Sequence, residues 1–234
     1  MELIDITLPS VPENLALDEA ILLEAAAGRG GEVLRVWEWP RPVVVLGAGG
    51  VIADDVNVAA CDRDGVPLAR RSSGGGTVLL GSGCLLYSLV LRYDRAAELR
   101  DIRKSYPWIL SRVIGALPGV ALEGPSDLAV AGRKVGGSAQ QRKRHHLLHH
   151  GSLLYAFDLP LISRYLREPP RQPDYRGRRS HGDFVNNLSI GGAELRSQLA
   201  AAWDAQAANR PLPVELVGQL VAERYGSAAW LHRR

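Results

Sequence analysis

The chain has 234 residues, 46% hydrophobic and 23% charged, which excludes a disordered chain; its 25 glycines follow no Gly-X-Y period, which excludes collagen. Lys and Arg number 28 against 25 Asp and Glu, leaving a formal charge of +3 that suits an acidic partner or a phosphate ligand but is too small to imply nucleic acid. Two cysteines can build neither a disulfide framework nor a four-cysteine zinc site.

The N-terminal stretch carries Glu2, Asp5, Glu13, Asp18 and Glu19 and no basic start before an apolar run, so no secretory signal is read and a cytoplasmic protein is expected. The near-apolar run 84–91 is far short of a membrane span. The spacing of Leu17, Ala20 and Ile21 predicts a helix over 12–27, started by Ser10 or Asn14 and stopped by Gly28, Gly30 and Gly31. Strands are expected over 33–39 and 43–47, separated by the turn Pro40-Arg41-Pro42. Val43-Val44-Val45-Leu46 does not alternate, as in a strand buried on both faces. A short helix near 57–64 leads to a strand over 66–71. Strands over 77–80 and 84–91 then read as a hairpin about Gly81-Ser82-Gly83.

A helix is predicted over 105–117, with Pro107 in its first turn and Pro118-Gly119 ending it. Strands 128–130 and 133–135 flank the turn Ala131-Gly132 as a second hairpin. Residues 151–157 read as a strand, 159–166 as a helix, and 169–182 as a Pro/Arg/Gly loop. Helical stretches over 193–208 and 213–225 form the tail. No repeat or low-complexity linker divides the chain, and close hairpins among mixed elements favour an α+β class over strict βαβ winding. One domain over 1–234 is expected, with a helical tail from about 193.

Three stretches could carry chemistry. In Arg70-Arg71-Ser72-Ser73-Gly74-Gly75-Gly76-Thr77, two guanidiniums precede three glycines. Bare backbone can approach a ligand and turn successive N–H groups on an anion, and Arg adds forked donors. The stretch has neither the Lys of a P-loop nor the spacing of a dinucleotide fingerprint, and a plain hairpin turn is its other reading. In Gly132-Arg133-Lys134-Val135-Gly136-Gly137-Ser138-Ala139-Gln140, the lysine is a point charge for a phosphate or an acyl oxygen, or a solvated turn. In Arg142-Lys143-Arg144-His145-His146-Leu147-Leu148-His149-His150-Gly151, a strand would turn adjacent histidines to opposite faces, and no acidic or Cys ligand stands nearby, so no metal cluster is expected. Cys84, between apolar neighbours, reads as an inert buried thiol, and Cys61 has only Asp62 and Asp64 beside it.

Taken in order, these stretches resemble the lipoate–protein ligase and octanoyltransferase family, which shares its catalytic fold with biotin–protein ligase. Asn14-Leu15-Ala16-Leu17-Asp18-Glu19-Ala20 is similar to the family's opening helix, and Leu34-Arg35-Val36-Trp37 through Val44-Val45-Leu46-Gly47 to its first hairpin. The 70–78 stretch resembles the Arg-Arg-x-Ser-Gly-Gly-Gly motif. Ser126-Asp127-Leu128 with Gly132-Arg133-Lys134-Val135 resembles the Asn-Asp-Leu and lysine motifs. His149-His150-Gly151-Ser152-Leu153-Leu154 and Val185-Asn186-Asn187-Leu188 continue the match in register. Ser126 stands where ligases often have Asn.

The resemblance implies a mixed central β-sheet flanked by helices, in a short form without the C-terminal accessory domain of the bacterial ligase. It implies that ATP activates lipoate or octanoate to the acyl-adenylate, and that the acyl group passes to a lysine of an apo lipoyl carrier domain, of a 2-oxoacid dehydrogenase E2 or a glycine-cleavage H protein. A separate accessory subunit is a further expected partner; nucleic acid and membrane are not. By the same carry-over, Lys134 is the catalytic residue, contacting carboxylate and phosphate oxygens. Arg70, Ser72, Gly74, Gly75, Gly76, Thr77, Gly137, Ser138 and Gly151 line the lipoate and ATP site. Asp127 lies by the adenylate as a possible Mg²⁺ contact, and His149 lies at the acyl or nucleotide pocket, with a core histidine as its other reading.

Two rival readings differ in chemistry. Octanoyl transfer from a carrier thioester needs a thiolate. Residues 118–125 contain no Cys, and none follows Cys84, which argues for ATP-dependent activation or for transfer from a preformed adenylate. A non-catalytic lipoyl-binding protein is the second rival.

Overall fold

The computed structural model describes residues 1–234. Its first part comprises β1 (Glu2–Asp5), α1 (Val11–Ala26), β2 (Val33–Glu38), β3 (Val43–Leu46), α2 (Ile52–Asp55), α3 (Val58–Asp64), β4 (Leu68–Arg70), β5 (Val78–Leu80) and β6 (Cys84–Arg92). Then come α4 (Ile102–Ala116), β7 (Val120–Glu123), β8 (Asp127–Val130), β9 (Arg133–Arg142), β10 (His146–Leu154), α5 (Pro160–Tyr165) and α6 (His181–Phe184). The chain closes with α7 (Gly192–Ala202), β11 (Gln206–Ala207), α8 (Val214–Leu220), a π-turn over Val221–Tyr225, and α9 (Ala228–Leu231).

Eight strands form one mixed sheet in the order β11-β1-β2-β6-β10-β9-β8-β7; β1 runs parallel to its two neighbours and the other pairs are antiparallel. A second sheet, β4-β3-β5, is separate. The large sheet is covered on both faces. Val33, Trp37, Leu86 and Val90 pack towards α1 and the small sheet, while Leu34, Val36, Leu85 and Leu89 pack towards α4 and α7. This two-sided burial explains the near-continuous apolar strands. Each fully buried Leu or Ile contributes about 1.5–3 kcal/mol. No helix is long and apolar enough to cross a membrane.

Several expectations change where long-range contacts override local signals. Strands β2 and β3 form no hairpin about 40–42, nor do β5 and β6 about 81–83: each pair is split between the two sheets. Gly83 (φ +81) is held by the far end of β10 instead. Its carbonyl accepts from Tyr155 and Ala156, and a Cβ on it would stand 2.2 Å from the Ala156 carbonyl carbon. The β8–β9 hairpin does form, on the left-handed pair Ala131 (φ 49) and Gly132 (φ 70) that a tight two-residue turn requires.

Strand β9 runs to Arg142 rather than stopping at 135, and β10 begins at His146 rather than 151. Helix α4 starts at Ile102 because Asp101 caps it, accepting from the Arg103 and Lys104 N–H groups at 2.7 and 3.2 Å, so Pro107 falls in the second turn. Helix α7 ends at Ala202, and Asp204 (φ 47) turns the chain into β11. Ser10 is the N-cap of α1, and Asn14 instead turns inward, bonding Leu8, Ser10 and Arg35.

Candidate functional site

The α1-facing side of β9 and β10 carries the lysine and the glycine run. A bulge sets Leu128 opposite Gly136 but Ala129 opposite Lys134, leaving Val135 as the extra residue on β9. The Lys134 side chain folds back over Gly137, where a Cβ would stand 2.9 Å from Nζ. Glycine at 137 therefore makes room for the ammonium. Lys134 Nζ donates to Asp127 Oδ1 at 2.7 Å, and the Tyr175 hydroxyl donates to Asp127 Oδ2 at 2.9 Å. Burial and the Asp127 charge push the Tyr175 phenol up, so it stays a donor. The Lys134 carbonyl accepts from Asn186 N at 2.8 Å, which fixes the strand beneath the lysine.

The glycine run joins β4 to β5 and is wrapped around Arg71. This guanidinium donates to Ser73 Oγ (3.0 Å), Val45 O (3.3 Å), Gly74 O (2.7 Å) and Gly76 O (2.8 Å). Burial pulls Arg71 down to about 10, so it remains charged at neutral pH. Gly75 (φ +86) lies against β9, its missing Cβ 3.5 Å from that of Ala139. Ala139 is the next residue after Gly137 on that face, so the ammonium and the glycine turn are separated by about 7 Å, one side-chain repeat of a strand.

Adjacent residues part company here. His150 faces the glycine run, its Nε2 2.5 Å from Ser73 Oγ and its Nδ1 3.9 Å from Asp18 Oδ2. Asp18 is buried and takes an Arg35 hydrogen bond at 2.6 Å. Burial opposes its ionisation, yet Arg35 and His150 hold its carboxyl below the usual range. His149, expected at the pocket, points to the other face of the sheet, because consecutive strand residues alternate. There it is fully buried beside Tyr87 (3.4 Å), Gln140 (3.3 Å) and the edge of the Tyr106 ring. Burial, with the neighbouring His150, pulls it down to about 3.

This depression has a measurable sign. The native His149 stays neutral while the unfolded chain takes up a proton below about pH 6.5, so acid favours unfolding. Between pH 6.5 and 4.5 the wild type should lose about 2 kcal/mol more stability than His149→Gln, read as urea-unfolding free energies. Equal losses in the two proteins would remove the assignment.

The other expected residues are distributed as follows. Arg70 is buried, and its guanidinium donates to the carbonyls of Gly47 (2.9 Å), Gly50 (2.7 Å) and Leu231 (2.7 and 2.9 Å), so it is tied to the C-terminal segment rather than open to the lysine. Ser72 Oγ donates to Gln141 Oε1 at 2.7 Å and lies 2.9 Å from the Tyr225 hydroxyl. The same Gln141 and Tyr225, with Arg224, converge on the buried Glu19 carboxylate. Thr77 donates to Asp55 Oδ2 at 2.7 Å. Ser138 reaches Ser126 O with both its N–H and its hydroxyl. Gly151 faces away with His149; a Cβ there would meet the Tyr87 hydroxyl at 2.8 Å. Gly74 and Gly76 offer their carbonyls to Arg71.

Both cysteines are buried, and burial pushes Cys84 up to about 12, where no thiolate forms at neutral pH. No three His, Cys, Asp or Glu side chains converge as a metal cluster. Sequence reasoning missed Arg71, Ser73, His150 and Asp18 as one cluster, and Tyr175 as a partner of Asp127.

Known proteins resemble this chain in sequence and fold. An octanoyltransferase LipM of Carboxydothermus hydrogenoformans is 30% identical over 94% of this chain and 94% of its own. A bipartite lipoate protein ligase of Thermoplasma acidophilum, studied with its E2 lipoyl domain, superposes with a TM-score of 0.82 at 22% identity, over 99% of this chain and 95% of that one. Lipoate-protein ligase A bound with ATP superposes at 0.77, with 24% identity over 99% of both chains. The lipoyl protein ligase A/B catalytic domain family matches residues 10–200, and with the lysine turn, the glycine run and the mixed sheet in place the chain belongs to that family.

Proposed function

We propose that this protein activates lipoate, or octanoate, with ATP and transfers the acyl group to a lysine of an apo lipoyl carrier domain. The observation that carries this reading is the charge of the site. Arg71 is buried at the glycine run and donates only to neutral oxygens. A buried cation without a counter-anion is costly, and a bound carboxylate or phosphate oxygen offsets that cost. Lys134 spends one of its three donors on Asp127 and keeps the others for an oxyanion.

In the first step a carboxylate oxygen attacks the α-phosphorus, the bond to the bridging oxygen breaks, and pyrophosphate leaves. In the second the acceptor amine attacks the acyl carbon, AMP leaves, and the amine loses its proton. Lys134 stabilises charge developing on the α-phosphate and acyl oxygens, and Asp127 with Tyr175 aims it. Both Asp127 oxygens are engaged, by the Lys134 ammonium and the Tyr175 hydroxyl, so a Mg²⁺ arriving on the triphosphate would have to share one of them and take its remaining ligands from phosphate and water. The same fold holds ATP in lipoate-protein ligase A.

Octanoyl transfer from a carrier thioester is the second reading, favoured by the name of the LipM relative. The burial of Cys61 and Cys84 counts against a thiolate route in this chain. Lipoate-dependent ATP–pyrophosphate exchange, run beside consumption of an octanoyl-carrier thioester, separates the two. Exchange alone supports ligation and thioester consumption alone supports transfer. Neither signal leaves a binder. Cys84→Ser should keep at least half of the wild-type activity; total loss in a folded variant would restore the thioester route.

A further inference from the structure

The loop that follows α5 carries an excess of positive charge beside the candidate site. Residues 164–183 hold six arginines and three acids, and one of the arginines, Arg164, pairs with Asp64 outside the segment. Of those acids, Glu168 is taken by Arg176 and Asp183 by Ser180, which leaves Asp174. Arg171 and Arg178 are exposed and have no partner, and Arg167 meets only the carbonyl of Val56.

The loop does not drift over the surface. Tyr175 bonds Asp127, the carboxylate that holds Lys134, and Arg179 donates to Gly132 O at 2.9 Å in the β8–β9 turn. Pro173 and Tyr175 lie over Gly124 in the β7–β8 turn. Arg178 follows Gly177 with both residues left-handed (φ 59 and φ 59), a conformation that disfavours a side chain. An exposed, unpaired arginine kept in that conformation does nothing for packing, and such outliers gather where a ligand is met.

We infer that the 167–178 arginine loop, pinned to Asp127 through Tyr175, is the docking surface for the carrier domain, receiving an acidic patch next to the acceptor lysine. This inference rests on the reading that a carrier lysine is the acyl acceptor. Exposed charges of this kind steer encounter and fix orientation. The acceptor lysine would then enter beside the Lys134–Asp127 pair.

The test uses an apo lipoyl domain of an E2 subunit, with binding followed by calorimetry at low and high salt and activation followed by pyrophosphate exchange. Arg171→Glu/Arg178→Glu should weaken carrier binding about tenfold at low salt, flatten its salt dependence, and leave lipoate-dependent exchange unchanged. Lys143→Glu/Arg144→Glu, at the β9–β10 tip roughly 30 Å along the strand from Lys134, should leave binding unchanged. Arg178→Gly gives a second reading: relief of the left-handed conformation raises the melting temperature while loss of the charge weakens docking. Unaltered binding in the loop variants, equal weakening at the hairpin tip, or no binding by the wild type overturns the inference. Absent exchange with carrier binding that still depends on the loop would instead refute ATP-dependent activation and keep the docking surface.

Discussion

Lys134→Ala is expected to lower lipoate-dependent pyrophosphate exchange by about a thousandfold, the upper end of what removal of one preorganised oxyanion donor costs. The fold should survive. The side chain is 32% exposed, and an ion pair so placed with Asp127 contributes little to stability. The conservative Lys134→Arg should fail almost as completely. The ammonium occupies the space above Gly137, 2.9 Å from where a Cβ would be, and a planar guanidinium cannot enter that space with its donors still aimed at a neighbouring oxyanion. Thermal melting within a few degrees of wild type, together with lost exchange, would place the residue in chemistry rather than folding. Exchange at the wild-type rate in Lys134→Ala would end its catalytic role.

The lysine turn was readable because it is local. Ala131-Gly132 can only be a tight turn, and the basic pair follows it directly. The glycine run was readable for the same reason. The face on which each neighbour lies was not. Arg70 and Arg71, Ser72 and Ser73, and His149 and His150 are three adjacent pairs, and in each the residue expected at the ligand is the one not in the Arg71–Ser73–His150 cluster. For the histidines, which lie within β10, a shift of one residue turns the side chains to the opposite face, and the parity is set by pairing with distant strands; Arg71, Ser72 and Ser73 lie in the loop after β4, where no alternation rule applies. Counting alternation from Lys134 fails at the bulge about Val135. Within β10, Leu147 and Leu148 are both apolar and both buried, one in each core layer, so hydropathy carries no sign of which histidine faces α1. The failed hairpins have the same origin: turn chemistry at Pro40-Arg41-Pro42 and Gly81-Ser82-Gly83 allows a local return, and contacts far along the chain decide against it.

Asp18→Ala should destabilise the protein by about 3–5 kcal/mol, because it leaves Arg35, wholly shielded from solvent, as a buried charge without a counter-ion. Arg35 also reaches the Asn14 carbonyl and amide oxygens, but these are neutral and satisfy hydrogen bonds without balancing charge. Removing both charges in Asp18→Leu/Arg35→Met should recover most of the loss, since an apolar pair of similar volume needs no desolvation. The carboxyl of Asp18 is held below its unfolded value, so its contribution is full above the unfolded range near pH 4 and fades as pH falls through the folded value. The gap between wild type and Asp18→Asn should therefore close in acid. The same carboxylate lies 3.9 Å from His150, the residue that meets Ser73, so the stability loss should come with a weakened site. Asp18→Asn keeps the side-chain shape and should retain the fold while raising KM for the acyl substrate. Urea-unfolding free energies for the two single variants and the double decide the point. A double variant no more stable than either single would mean that the charges at positions 18 and 35 do not act as a pair, and the electrostatic support assigned to His150 would go with them.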